Sequence, residues 1–119
     1  MAYTTVVPEV IDREDDCEAA DIDLNTGVGG AGAGNGITWA NDGRCFIEVE
    51  NGATQVIVTV LTPVTVDGQA VADPTFTVPL NEDHLFGPFP PNVYNDATGL
   101  AHAEFDDITD GTVSVWRVS

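Results

Sequence analysis

The 119-residue sequence contains no lysine and only three arginines, against 20 aspartate and glutamate residues. Its formal net charge at pH 7 is therefore -17. A protein that binds nucleic acid through a basic face needs clustered Lys and Arg side chains to displace counterions. Arg13, Arg44 and Arg117 are far apart in the sequence. We therefore expect neither nucleic acid nor an anionic membrane surface as a partner.

Long apolar runs and targeting signals are also missing from the sequence. The longest run of apolar residues and threonine, 56–66, alternates like a strand and falls short of the roughly 20 residues that span a bilayer. The first residues contain neither the basic region nor the apolar region of a signal peptide. These features predict a protein made in the cytoplasm and either kept there or packed into something assembled there.

Residues typical of catalysis are scarce. The two serines, Ser114 and Ser119, are outside any Gly-x-Ser-x-Gly setting, and His84 and His102 stand alone without an HExxH motif or a nearby cysteine pair. We therefore expect no enzymatic activity and no catalytic cofactor.

One segment resembles a metal-binding loop. Asp21, Asp23 and Asn25 place oxygen side chains at alternate positions, as a calcium loop does. The required glycine comes one place late, at Gly27, and Gly32 stands where the closing glutamate belongs. A solvated acidic loop is the favoured interpretation, and a structural Ca²⁺ or Mg²⁺ site is the alternative.

The two cysteines, Cys17 and Cys45, can form at most one disulfide. Cys45 shares a strand face with Ile47 and Val49, which favours a free, buried thiol. A Cys17–Cys45 bridge is the alternative.

The residues that are abundant predict an all-β chain. The sequence has 16 valines, 13 threonines, 12 glycines and seven prolines, and β-branched side chains suit strands. Strands are predicted at about 45–50, 55–62, 75–80, 84–86, 100–105 and 112–118, and 55–62 is expected to be central and covered on both faces. We predict a single β-sandwich or jelly-roll-like barrel of seven to eight short strands over 37–119, with helices limited to single turns.

Residues 1–36 lack the regular alternation of strands and turns that is found in the rest of the sequence. Residues 1–11 indicate an extended arm, 12–25 an acidic segment, and 26–36 a glycine-rich stretch with six glycines in eleven positions. That stretch is either a flexible connector or a loop pressed against another backbone. The sandwich is expected to fold without the arm.

Two apolar segments are candidates for contact with a partner. The first segment is the arm, with Tyr3, Val6, Val7 and Pro8. The second is the proline-rich corner at 86–91 and the residues next to it, with Phe89, Pro91 and Tyr94 as the candidates. The alternative for the corner is that its aromatic residues belong to the core. Gly43, Gly68, Gly87 and Pro88 are predicted to form turns and the corner itself.

The strong negative charge favours a protein that works in concentrated salt. Excess charge of one sign destabilises a compact state, but at about 1 M ionic strength the Debye length is only about 3 Å and the repulsion is largely screened. A halophilic source is therefore expected.

Residues 40–119 contain a series of short motifs: NDGR at 41–44, VTV at 58–60, DG at 67–68, TVP at 77–79, FGPFP at 86–90, YN at 94–95 and VSV at 113–115. In this series the chain resembles a family of small all-β head proteins of tailed viruses. The resemblance implies a capsid decoration, or cement, protein on the virion head surface that binds the major capsid protein and self-associates. A trimer is the expected oligomer, because closed symmetry is usual. The alternative is a turret or tail surface module that binds a host receptor or glycan.

Overall fold

The computed structural model describes residues 2–11, 21–32, 34–63, 65–66 and 68–118. These residues contain twelve strands and two single-turn helices. In chain order the elements are β1 (Ala2–Thr5), β2 (Glu9–Ile11), β3 (Ile22–Asp23), α1 (Leu24–Gly27), β4 (Asn35–Ala40), β5 (Cys45–Glu50), β6 (Val56–Val60), β7 (Thr65–Val66), β8 (Gln69–Ala70), β9 (Thr75–Val78), β10 (Asp83–Phe86), α2 (Pro91–Tyr94), β11 (Leu100–Phe105) and β12 (Thr112–Val118).

Ten of the strands form two five-stranded sheets, which confirms the predicted all-β sandwich. The first sheet has the strand order β1-β4-β11-β6-β9. The second has the order β10-β5-β12-β2, and β3 pairs with the start of β12 on the same edge as β2. β7 and β8 form a separate hairpin. The described chain has more strands than the predicted seven to eight, partly because β1, β2 and β3 precede residue 37.

The core is filled by side chains that alternate along the strands. In β6, Val56, Val58 and Val60 are fully buried, and each fully buried side chain of this kind contributes roughly 1.5–3 kcal/mol. β6 lies between β11 and β9, so its predicted central position is confirmed. Its other face was expected to be covered as well, but Ile57 and Thr59 on that face are only half-buried.

Residues 2–11 belong to the sandwich and do not form a separate arm. β1 pairs in parallel with β4 of the first sheet, and β2 pairs in parallel with β12 of the second. Val6, between the two strands, is only 4% exposed, and its N–H donates to the Thr38 carbonyl oxygen at 2.8 Å. Pro8 interrupts the strand pattern, and the chain changes sheets around it. The expectation that the core begins at Ile37 is therefore corrected.

The described residues between Ile22 and Gly36 also pack against the sandwich. Leu24 and Val28 are fully buried, and the Leu24 N–H donates to the Gly111 carbonyl oxygen at 3.0 Å. A Cβ at Gly36 would lie 1.9 Å from the Ala103 carbonyl oxygen. Of the two interpretations of the glycine-rich stretch, the structure supports the close approach of two backbones at this position.

The turn that leads into β11 is organised by the Asp96 carboxylate. It accepts hydrogen bonds from the Thr98 hydroxyl at 2.6 Å, the Thr98 N–H at 2.8 Å and the Leu100 N–H at 3.1 Å. His102 Nε2 lies 2.8 Å away. The Thr98 hydrogen bond, followed by the His102 interaction, holds the pKa of Asp96 well below its ordinary value.

We predict that Asp96→Ala lowers the free energy of unfolding at pH 7 by about 1.5–3 kcal/mol, the range for hydrogen bonds to a charged group. Because the folded-state pKa is depressed, this stabilisation is complete above the unfolded pKa of about 4 and declines as pH falls through the folded pKa. In urea unfolding, the gap between wild type and variant should therefore shrink below about pH 4.

Asp21→Ala is the control for this prediction, because Asp21 is exposed and its side chain has no hydrogen bond among the described residues. Its effect should stay within about 0.5 kcal/mol. Equal losses in the two variants would contradict a stabilising role for the Asp96 turn.

Candidate docking surface

The outer faces of the two sheets differ in chemistry. On the first sheet the outward side chains are mainly polar and include Thr59, Thr75, Thr77, His102 and Glu104. On the second sheet several large apolar side chains point outward together. Contiguous exposed apolar surface typically marks an interaction site. The outer face of the second sheet is therefore the candidate docking surface.

The centre of this surface is a shallow groove of about 400 Å³, which we call the apolar groove. Its lining residues are Ile11, Phe46, Glu48, Leu85, Trp116 and Val118. Leu85 is 61% exposed, Val118 43% and Ile11 41%. Five of the six lining residues are apolar, and they come from four neighbouring strands.

Strand alternation and register bring these residues together. In β5, Cys45, Ile47 and Val49 are fully buried, which directs Phe46 and Glu48 outward. The register pairs Trp116 with Phe46, Leu85 with Glu48, and Val118 with Ile11. Because directly paired residues share a face of the sheet, the apolar groove continues across β10, β5, β12 and β2.

Glu48 is the charged residue of the apolar groove. Its Oε1 atom accepts a hydrogen bond from the Trp116 indole Nε1 at 3.1 Å, and the Ser114 hydroxyl donates to the same oxygen at 3.4 Å. The indole hydrogen bond orients the Trp116 ring at the groove. Both partners lie on β12, so Glu48 links the outer faces of two adjacent strands.

One end of the same sheet is acidic. A depression of about 330 Å³ there is lined by Asp23, Glu50, Asp83 and Asp110 together with neighbouring polar residues. Burial, followed by the neighbouring charges of Glu48, Asp21 and Asp83, raises the pKa of Glu50. The acidic end is therefore self-repelling, and none of these four carboxylates lines the apolar groove.

The arm residues predicted to contact a partner do not form one surface. Tyr3 donates to Glu104, and its ring lies 4.8 Å from that of His102 on the first sheet. Burial and the hydrogen bond to Glu104 raise the pKa of Tyr3 to about 12. Val6 is buried in the core, whereas Val7 is 82% exposed. Pro8 lines a separate depression beside the Arg117–Asp42 ion pair.

The proline-rich corner contributes mainly to the core. Phe89 is only 2% exposed, and its ring lies 6.0 Å from Trp39, 6.3 Å from Phe76 and 5.2 Å from Tyr94. Pro91 is exposed and Tyr94 half-buried. The structure therefore supports the core interpretation for Phe89 and leaves Pro91 accessible.

The predicted turn glycines have left-handed backbone conformations. φ is +89° at Gly43, +77° at Gly68 and +132° at Gly87. A Cβ at Gly87 would lie 2.8 Å from the Cys45 carbonyl oxygen, so a larger residue fits neither the conformation nor the space. The Gly87–Pro88 peptide bond is cis.

Two of the three weak metal candidates, Asp23 and Asn25, make hydrogen bonds that stabilise the fold. Asp23 caps α1 by accepting the Asn25 N–H at 2.9 Å, and the Asn25 amide donates to the Thr109 carbonyl oxygen at 3.2 Å. Asp21 is exposed. Within the described ranges, no group of three or more His, Cys, Asp or Glu side chains is arranged to hold a metal ion.

Cys45 is a free, buried thiol whose pKa is raised by burial. The alternative disulfide involves Cys17, which lies outside the described residues.

The residues of the apolar groove were not identified from the sequence. The signal was present in the strands predicted at 45–50 and 112–118, which carry large apolar side chains on both faces. The side chains of Ile47 and Val115 point into the core, whereas those of Phe46 and Trp116 point to the outer face of the sheet. A strand that covers a core on one side only needs apolar residues on that side, so the second set indicates further contact.

Comparison with family models, curated proteins and solved structures finds no match to this chain. The described residues contain no helix long and apolar enough to cross a membrane.

Proposed function

We propose that the chain is a non-enzymatic structural protein that docks on a protein shell through the apolar groove. The proposed setting is the head of a tailed virus of a halophilic host, where the chain acts as a capsid decoration protein in high salt. The partner is the major capsid protein, and assembly takes place in the host cytoplasm. The observation that carries the proposal is the contiguous apolar outer face of the second sheet.

Two further features support this setting. The sequence motifs between 41 and 115 resemble those of small tailed-virus head proteins, and the chain shares the all-β class of those proteins. In concentrated salt, exposed charge pairs are screened, whereas pairs buried in an interface are screened much less. Attachment therefore needs apolar burial, which contributes roughly 25 cal/mol per Å². The apolar groove supplies such surface on a chain with three arginines and no lysine.

The experiment that tests this function is a copy count in purified virus particles by quantitative mass spectrometry. A decoration protein should be present in hundreds of copies and should stay with heads separated from tails. A few copies, or a few dozen, would favour the turret or tail module that binds a host receptor or glycan. Absence from the particles would contradict both. The proposed trimer is tested by the mass of the purified chain in the same salt.

We predict that lowering salt from about 2 M to about 0.1 M, with divalent ions chelated throughout, lowers the melting temperature by about 5 °C or more. The Debye length grows to about 10 Å at 0.1 M, which restores repulsion among charges such as those of Glu50 and Asp83. A loss of about 1 kcal/mol shifts the melting temperature of a domain this size by several degrees.

The double variant Glu50→Gln with Asp83→Asn removes two charges from the acidic end. It should show a smaller salt dependence than the wild type. Equal melting temperatures of the wild type at both salt concentrations would contradict a role for screening.

A further inference from the structure

We propose that the apolar groove receives an apolar protein segment carrying one arginine, and that the guanidinium of this arginine binds Glu48. The identification of the segment with the shell protein rests on the proposed function. The chemistry of the occupant is inferred from the groove itself.

The first argument is the charge of Glu48. The described residues form three ion pairs, His84–Glu82, His102–Asp96 and Arg117–Asp42, and none of them includes Glu48. A partner that covers the five apolar lining residues also removes water from this carboxylate. Burying an unpaired charge is costly. A well-fitting occupant must therefore bring a cation to Glu48.

The second argument is the pair of aromatic rings beside Glu48. Phe46 lies two residues before Glu48 on the same face of β5, and Trp116 of β12 pairs with Phe46. A guanidinium stacks on aromatic faces and binds carboxylates at the same time, whereas an ammonium is a compact, strongly hydrated point charge. Trp116 Nε1 already holds Oε1 in place. These features favour arginine over lysine.

The third argument concerns charge complementarity with a second copy of this chain. A second copy would bring another Glu48 to the interface and a further charge of -17. Of the two described arginines, Arg117 is already paired with Asp42, so the exposed Arg44 is the one described arginine that a second copy could offer against its large excess of carboxylates. A partner that presents a cationic residue therefore complements the apolar groove better than a second copy of this chain does.

A pair of small probes tests the groove chemistry without any virus particle. The ¹⁵N-labelled full chain is titrated with phenylbutylguanidinium and with phenylbutylurea, its neutral analogue of the same shape, at about 2 M salt to screen non-specific attraction. The readout is the indole N–H signal of Trp116. We expect the guanidinium to bind at least about tenfold more tightly than the urea, a modest effect for a charge pair at an interface.

Glu48→Gln is the test variant, because glutamine keeps an oxygen for the Trp116 hydrogen bond and removes only the charge. Glu50→Gln is the matched control, since Glu50 lies on the same strand and face but outside the lining of the apolar groove. The preference for guanidinium should vanish in Glu48→Gln and persist in Glu50→Gln. Equal binding of the two probes by the wild type, or no binding of either, would overturn the proposal.

A second assay uses heads assembled without this chain. Glu48→Gln should attach at least about tenfold more weakly than Glu50→Gln. Equal attachment of the two variants would overturn the arginine contact while leaving the decoration function intact. If the wild type does not attach, the decoration function fails, and the probe titration still decides the groove chemistry. A chain that dimerises through Leu85 and Trp116 would show that the occupant is a second copy and would overturn the proposal.

Discussion

Leu85→Asp is expected to weaken attachment to the shell by about 100-fold or more while leaving the sandwich folded. Leu85 lies on β10 at the edge of the second sheet and is 61% exposed in the isolated chain. Burying a leucine contributes roughly 1.5–3 kcal/mol, and burying an unpaired carboxylate adds a further cost. Attachment is measured by sedimentation with heads assembled without this chain, in high salt.

Leu80→Asp is the matched control for this variant. Leu80 is 54% exposed and lies outside the lining of the apolar groove, so the same substitution should leave attachment unchanged. Circular dichroism should show the same fold for both variants. Loss of attachment in Leu80→Asp with normal attachment of Leu85→Asp would place the docking surface elsewhere.

Val6→Asp is expected to unfold the chain or to lower its free energy of unfolding by several kcal/mol. Val6 is 4% exposed and belongs to the core cluster, so the substitution places an unpaired charge in the interior. Uncompensated buried charges cost about 3–5 kcal/mol, compared with a total stability of about 5–15 kcal/mol for most proteins. Deletion of residues 1–11 should be at least as damaging, because it removes a strand from each sheet.

Val7→Asp tests the same change at the neighbouring position, where the side chain is 82% exposed. Its unfolding transition should match that of the wild type within about 0.5 kcal/mol. Thermal unfolding of both variants in high salt provides the measurement. A Val6→Asp protein as stable as Val7→Asp would contradict the assignment of β1 and β2 to the sandwich.

The sequence predicts the strands that follow residue 37 because their patterns are strong. Val56, Val58 and Val60 alternate with other residues, and β11 and β12 begin after glycine-containing turns. Such alternation fixes which side chains enter the core. Single-turn helices were also expected, and α1 and α2 have four residues each.

The role of residues 2–11 was not predictable from local pattern alone. β1 and β2 have only four and three residues, and each pairs in parallel with a strand far along the chain. Parallel pairing depends on distant partners and not on a hairpin turn. A proline next to two valines gives the same local signal for an extended arm as for a change between sheets.

The docking surface was predictable only in part, for a different reason. Phe46, Leu85 and Trp116 belong to strands that were predicted, but β10 is an edge strand and β12 is central. The order of strands in the sheet decides which outward side chains become neighbours. That order follows from long-range pairing, so the sequence indicates apolar residues on both faces without showing that they meet.

Cryo-electron microscopy of purified virus heads tests the central claim most directly. The decoration function predicts density for this sandwich on the outer surface of the shell, with the second sheet facing the capsid protein and Leu85 and Trp116 in the contact. Heads that contain the chain with the first sheet turned toward the shell, or heads without the chain, would contradict it.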